Sequence, residues 1–251
     1  MNTYENNKKI LNKEVLMTKL PSITDAEKAF FIDQTSQVKE LLMLYNSAIR
    51  EVTTKLEILN DELSAKNERN PIEFITSRVK SPSSIIGKMQ RKEIPITVNS
   101  MTEYINDIAG VRVICSFIDD IYEIANMLIK QDDIKLLEVQ DYIQKPKANG
   151  YRSLHLLIQI PVFLSEEKRN MKVEIQIRTM AMDFWASLEH DLKYKQDIEN
   201  EVEINKELKE CAEIISNTDF RMLNIRDKIK HKETQDKNLF NIFPDNFKGN
   251  F

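Results

Sequence analysis

The chain has 251 residues, 41% hydrophobic and 30% charged, with a formal net charge of −4 and an isoelectric point of 5.6. That length holds one domain of ordinary size with room for long helical additions, and the acidic balance argues against a protein that coats long nucleic acid. With only 4 glycines and no dinucleotide-binding or P-loop glycine motif, nucleotide binding through a glycine-rich loop is excluded too.

No stretch is apolar for long enough to span a bilayer and the N-terminus carries no signal-like apolar run, so a cytoplasmic protein without membrane contact is expected. Cys115 and Cys211 both lie in apolar patterns and are expected as buried thiols rather than a disulfide.

Residues 1–32 are polar and are expected to form an extension outside the chemistry. From Asp33 a long amphipathic helix is predicted, its stripe made by Val38, Leu41, Leu42, Tyr45, Ile49, Val52, Leu56, Leu59 and Leu63. Asn70-Pro71 breaks it. Phe74–Lys80 reads as a strand, and Ser81-Pro82-Ser83-Ser84 as a turn and helix start. Arg78, Lys80, Lys88, Arg91 and Lys92 fall in one window without an acid. Such a run is either a solvated basic helix face or, with Ser84 one turn before Lys88 on a helix N-terminus, a place for phosphate oxygens.

Thr102–Phe117 holds a short helix and then an apolar strand that contains Arg112, with Asp107 just before it. A guanidinium in an apolar strand needs a partner, either an acid or a ligand stacked on its plane. A helix over Asp119–Lys130 and a strand over Ile134–Tyr142 follow. Asn149-Gly150 marks a turn. The next strand is predicted to run to Ile160, with Tyr151, Ser153 and His155 on one face, and to end at Pro161 before a polar loop.

Met171–Arg178 alternates, with Val173, Ile175 and Ile177 inward and Glu174, Gln176 and Arg178 displayed in a row on the other face. At Thr179, a candidate N-cap, the period becomes helical, through Ala181, Trp185, Leu188 and Leu192. A last helix over Asn205–Lys230 repeats Leu208, Ile215, Met222 and Ile229 every seven residues, with Cys211 and Ile225 between, a packing or assembly pattern. Residues 231–251 read as a polar tail. The fold class is therefore α/β (α+β): a mixed sheet of about five strands flanked by helices, with long N- and C-terminal helices.

The blocks SRVKSPSSI, DIAGVRVIC, NGYRSLH and VEIQIRTMAMDFWASLEHDLKYK, in this order and spacing, resemble the synthetase domain of RelA/SpoT-type proteins over residues 33–230. The length resembles that of the stand-alone small alarmone synthetases of RelQ type. The resemblance implies a nucleotidyltransferase-like synthetase fold. It also implies transfer of the β,γ-pyrophosphate of ATP to the 3′-hydroxyl of GTP, GDP or GMP, giving AMP and pppGpp, ppGpp or pGpp.

By the same resemblance Arg78 and Arg112 sandwich the adenine, and Lys80, Ser84, Lys88 and Arg91 hold the ATP phosphates. Asp107 and Glu174 bind Mg²⁺, and Glu174 also takes the proton of the 3′-hydroxyl. Tyr151 stacks on the guanine, and Lys147, His155 and Gln176 contact the acceptor nucleotide. Homotetramers and single-stranded RNA binding are further properties it implies.

Three positions depart from the RelQ-type pattern: Gln140 in place of Arg, Ala148 in place of Glu, and Asp183 in place of Asn. All three are on the acceptor side. A neutral Gln140 and an acidic Asp183 are expected to favour less phosphorylated acceptors. His190-Asp191 spells the HD pair of alarmone hydrolases, but the other histidines, His155 and His231, are not at ligand spacing, so a synthetase without hydrolase is expected. The rival readings are pyrophosphorylation of a tRNA 3′ end, which needs a broad basic surface, and a non-catalytic nucleotide- or RNA-binding regulator, which has no evident need of Asp107 and Glu174.

Overall fold

The apolar stripe of the N-terminal half becomes one helix, α1 (Thr35–Asn67), in the computed structural model, which describes residues 35–67, 69–193 and 200–229. Val38, Leu41, Tyr45, Ile49, Val52, Leu56, Leu59 and Leu63 are all buried, as the helical period requires. Leu42 is only half-buried, and Leu44 is buried instead. The expected extension (1–32) and tail (231–251) lie outside the described residues.

After α1 come β1 (Ile72–Val79), α2 (Pro82–Arg91), α3 (Val98–Tyr104), β2 (Ala109–Cys115), α4 (Ile118–Ile129), β3 (Lys135–Asp141), β4 (Leu154–Phe163), β5 (Lys168–Thr179), α5 (Met180–Lys193) and α6 (Glu201–Ile229). The strands form one sheet in the order β1-β2-β5-β4-β3. β2 and β5 run parallel and the other neighbours antiparallel, so the sheet is mixed as expected. Its apolar face carries Val111, Val113, Leu156, Ile158, Val173, Ile175 and Ile177, all buried beneath α1 and α4. Each such side chain contributes ~1.5–3 kcal/mol by leaving water. The strands' other side chains make a second, polar face. Among the described residues no helix is long and apolar enough to cross a membrane.

Several local expectations are corrected. Pro161 lies inside β4, opposite Asn170 of β5, rather than ending the strand. Pairing with β3 stops at Gln159, so β4 has a free edge at Pro161, where a residue without an N–H is tolerated. Tyr151 and Ser153 precede β4 instead of belonging to it.

The α5 stripe is rotated: Met182, Trp185 and Ala186 are buried, whereas Leu188 is 47% and Leu192 57% exposed. Thr179 fixes this rotation. Its hydroxyl accepts the Met182 N–H at 3.1 Å, an N-cap, and donates to the buried Asp219 of α6.

On α6 the seven-residue repeat is not the buried face. Leu208 and Ile215 pack near Trp185, but Met222, Ile225 and Ile229 are exposed, and so is Cys211, which was expected to be buried. A straight helix drifts by ~20° per heptad against a strict seven-residue repeat. The stripe that stays in contact is Ala212, Asp219 and Leu223. Cys115 is buried, and no disulfide is formed.

Candidate active site

The register of the sheet assembles the polar face into two rows. One row crosses the strands as Arg78, Gly110, Glu174, Leu157 and Glu138; the next, as Thr76, Arg112, Gln176, His155 and Gln140. Glu174 and Gln176 thus stand in the middle, the cations of β1 and β2 on one side and β4 and β3 on the other.

Two recesses open on this face. One, of about 280 Å³, is lined by Arg78, Gly110, Arg112 and Gln176, with Thr76, Ser77 and Val111. The other, of about 250 Å³, is lined by Lys88, Lys92, Tyr104, Asn106, Glu138, Gln140 and His155, with Leu156 and Leu157. Asp107 and Glu174 belong to both and form the wall between them.

Asp107 sits in the turn before β2. Its Oδ2 accepts from Lys80 at the end of β1 and from Lys88 of α2 at 2.7 Å. Burial pushes the carboxyl up, but the hydrogen bonds and charges of the two ammonium groups outweigh this and hold it below its ordinary range. Asp107 is therefore ionised, and its Oδ1 is buried without a hydrogen-bond partner. Glu174 Oε2 accepts from Gln176 at 3.0 Å. An ionised carboxylate with an unfilled, inward oxygen beside a second carboxylate fits a hard cation such as Mg²⁺, whose shell is commonly completed by phosphate oxygens and water.

α2 begins as its sequence dictates. Ser81 caps it, accepting the Ser84 N–H at 3.3 Å, and Pro82 occupies its first turn. The Ser84 hydroxyl lies 2.8 Å from that of Ser81. Neither Ser84 nor Arg91 lines a recess; both are exposed on α2, with Lys88 projecting from the same helix to Asp107. Arg78 is exposed, and Arg112 is half-buried with its Nε lacking a partner. Burial and then the charge of Arg178 lower the pKa of Arg112.

Arg178 differs from expectation. It is not displayed beside Glu174 and Gln176 but is only 4% exposed. Its guanidinium donates to Ser153 Oγ at 3.3 Å, to Asp183 at 3.1 Å, to Gln176 Oε1 at 3.1 Å and to the Tyr151 hydroxyl. Asp183, which also lies 3.3 Å from Arg112, supplies the counter-charge that makes this burial tolerable.

Around Arg178 a ring cluster forms. Its Cζ lies 5.0 Å from the Tyr151 ring centre, and Lys147 Nζ lies 4.9 Å from Tyr151 and 4.5 Å from Tyr142. Tyr142 meets Tyr151 and His155 edge-on. Burial first, and then the charges of Arg178, Lys147 and Arg112, push the His155 pKa down to about 3, so the ring is neutral. Because the Tyr151 hydroxyl accepts from Arg178, we assign it as donor to His155 Nε2 at 2.8 Å. The remaining proton is then on Nδ1, which lies 3.8 Å from the Glu174 carboxylate, beyond hydrogen-bond distance.

The turn that carries Lys147 and Tyr151 is held from behind by α6. Gly150 has φ +90, and a Cβ there would lie 2.6 Å from Ala212 Cβ. Arg152 donates to the Ala212 carbonyl at 3.3 Å, and Asn149 to Glu189 of α5 at 3.1 Å. Glu138, Tyr142 and the interior role of Arg178 are not among the residues that the sequence motifs single out. Glu138 and Gln140 alternate along β3 and Tyr142 continues the spacing just past its end, and that period is the available signal for the first two.

The pattern described as "Region found in RelA / SpoT proteins" matches residues 77–199. GTP pyrophosphokinase YwaC of Bacillus subtilis (strain 168) is 49% identical over 191 residues, 76% of this chain and 91% of that protein. The crystal structure of the small alarmone synthetase 2 from Bacillus subtilis aligns with a TM-score of 0.68 and 48% identity, covering 76% of this chain and 98% of that one. The small alarmone synthetase 1 from Bacillus subtilis bound to its product pppGpp aligns at 0.70 with 37% identity, covering 77% and 98%. Likeness of this extent in sequence and in fold shows that the chain belongs to the RelA/SpoT family, with the family's small alarmone synthetases as its relatives.

Proposed function

We propose that the protein transfers the β,γ-pyrophosphate of ATP to the 3′-hydroxyl of a guanine nucleotide (GTP, GDP or GMP), releasing AMP and the alarmone pppGpp, ppGpp or pGpp, as a synthetase without hydrolase. The observation that carries this reading is the pair of recesses that share Asp107 and Glu174. In-line transfer between two oxygens needs a donor and an acceptor aligned across one charged wall. The names of the relatives, a GTP pyrophosphokinase and a synthetase bound to pppGpp, support it.

In this reading ATP occupies the recess of Arg78 and Arg112, its adenine between the two guanidiniums and its phosphates toward Lys80, Ser84, Lys88 and Arg91. The acceptor occupies the other recess, lined by His155, with its guanine extending to Tyr151 and Lys147, which lie beyond the recess next to His155, and with Gln176 reached from the shared wall on the donor side. Asp183 acts through its pairing with Arg112 and Arg178. Bound by Asp107 and Glu174, Mg²⁺ supplies neutralisation of the phosphate charge.

Glu174 takes the proton of the 3′-hydroxyl. The 3′-oxygen then forms a bond to the β-phosphorus, the bond from that phosphorus to the α,β-bridging oxygen breaks, and AMP leaves with that oxygen. Neutral His155, its Nδ1 3.8 Å from Glu174, places no positive charge of its own beside the base. Loss of one such charge contact is worth ~3 kcal/mol in the transition state.

The synthetase unit is assigned to residues 33–230, outside the polar ends 1–32 and 231–251, in a cytoplasmic protein. A homotetramer is supported by the exposed Met222, Ile225 and Ile229 of α6 and Phe184, Leu188 and Leu192 of α5. The test is AMP formation from ATP and Mg²⁺ that depends on a guanine nucleotide and is lost in Glu174→Gln. AMP formation that ignores the guanine nucleotide would overturn the reading.

A further inference from the structure

No lysine lines the donor recess. Its cations are Arg78 and Arg112, assigned above to the adenine, and both lysines that line a recess, Lys88 and Lys92, line the other one. A phosphate chain that starts from an adenine between those guanidiniums therefore meets lysines at and beyond the wall of Asp107 and Glu174. Lys80 and Lys88 stand at the wall, 2.5 and 2.7 Å from Asp107 Oδ2. Lys147 lies beyond the recess, over the rings of Tyr142 and Tyr151. Lys92 is different: its ammonium has no side-chain partner among the described residues, and it stands one turn beyond Lys88 on the same face of α2.

The backbone fixes Lys92 in that position. α2 ends in a Schellman motif, in which the Glu93 N–H donates to the Gln90 carbonyl at 3.0 Å and the Ile94 N–H to the Met89 carbonyl at 2.9 Å. The turning residue of this motif is usually glycine, but here it is Glu93, at φ 56. Left-handed backbone at a residue with a side chain is strain, and strain of this kind gathers at ligand sites. Tyr104, the last residue of α3, lines the same recess, half-exposed and with no partner for its hydroxyl among the described residues. Lys172 fastens the turn that carries it, donating to the Glu103 carbonyl at 2.8 Å and to Asn106 Oδ1 at 3.0 Å.

We propose that the Lys92 ammonium and the Tyr104 hydroxyl bind the terminal phosphate of the transferred group: the γ-phosphate of ATP before transfer, and the outer 3′-phosphate of the alarmone after it. The proposal rests on the transferase reading above. In that reaction the attacking and leaving oxygens are in line at the β-phosphorus, so the γ-phosphate stays almost where it was and one pair of donors serves both states. Once bonded to the 3′-oxygen, the group belongs to the acceptor recess, which is the recess that Lys92 and Tyr104 line. A charge-assisted hydrogen bond at its far end also keeps the β-phosphorus aligned between the two oxygens.

The test is calorimetric binding, with Mg²⁺, of an ATP analogue whose α,β-bridging oxygen is replaced by a methylene, and of the matching ADP analogue. Both are given to the full chain and to Lys92→Met, Lys92→Arg and Tyr104→Phe. The bond that transfer breaks is absent from the analogues, so binding is read without turnover. Affinity for the ATP analogue is expected to fall about tenfold in Lys92→Met and about threefold in Tyr104→Phe, with the ADP analogue unaffected and Lys92→Arg close to the parent. Equal losses for both analogues, or no loss for either, overturn the proposal. In turnover, kcat/KM of Lys92→Met is expected to fall by the same factor for GMP, GDP and GTP. A loss that grows with the number of 5′-phosphates puts Lys92 on the acceptor's own phosphate chain and overturns it. Absence of transfer to any acceptor by the parent chain would sink the transferase reading, while the two analogues would still decide the role of Lys92: a loss confined to the ATP analogue supports it, and any other pattern overturns it.

Discussion

Gly150→Ala tests the idea that α6 sets the guanine platform. The glycine has φ +90, and an added Cβ would lie 2.6 Å from Ala212 Cβ and 3.2 Å from Lys209 Cα. The left-handed backbone costs an L-residue ~1–2 kcal/mol. Ordinary carbon contacts begin at ~3.5 Å, so the turn must also retreat from α6 by about 1 Å, which brings the total to about 2–3 kcal/mol. The same turn is closed by Gly150 N–H to the Lys147 carbonyl at 2.8 Å and by Lys147 N–H to the Tyr151 carbonyl at 3.2 Å. The cost therefore falls on the two residues assigned to the acceptor.

Steady-state kinetics are expected to show the acceptor KM raised about 30- to 150-fold, with the KM for ATP unchanged. Adding Ala212→Gly removes the Cβ–Cβ contact but not the backbone strain, and is expected to restore part of the loss. An unchanged acceptor KM, or an equal rise for ATP, would refute the buttressing role of α6.

His155 makes stability depend on pH. Its folded pKa of about 3 lies below its ordinary 6.5. Between those values the unfolded chain binds a proton that the folded chain refuses, so stability is full above pH 6.5 and falls as the pH falls. From pH 6.5 to 5 this amounts to about 2 kcal/mol. Urea unfolding of His155→Gln is expected to lack that part of the acid loss, and identical pH profiles would contradict the assignment. Arg178→Met removes one guanidinium from four partners, and denaturant unfolding is expected to show a loss of about 3 kcal/mol. Arg178→Lys is expected to recover little of it, because an ammonium cannot reproduce the planar fork, and a loss well under 1 kcal/mol would contradict the account.

Most of the fold is legible in the sequence because α1 and β5 each have one side against the core and one side away from it, which writes a clean period into the chain. Asp107, Glu174, Arg78 and Arg112 are legible as a set through the four motif blocks, and the register then explains why motifs so far apart in sequence meet. The faces of α5 and α6 are not legible. Each packs through a mixed stripe that includes the polar Thr179–Asp219 pair and a tryptophan N–H to the Leu208 carbonyl at 2.9 Å, so apolar spacing alone points to the wrong side. Arg178 misleads for a related reason. Alternation assigns it to the polar face of the sheet, but nothing in a period says that α5 and the turn at Tyr151 will cover that end.

The central claim is that one pyrophosphate group moves intact from ATP across the wall made by Asp107 and Glu174. The most direct measurement supplies ATP labelled at both the β- and γ-phosphorus, with Mg²⁺ and each of GMP, GDP and GTP in turn, to the full chain and to Glu174→Gln. The account expects both labels together on the 3′ position of the guanine nucleotide, one AMP for each product, and neither in the variant. Label released as free phosphate or pyrophosphate, with the guanine nucleotide unmodified, would contradict it.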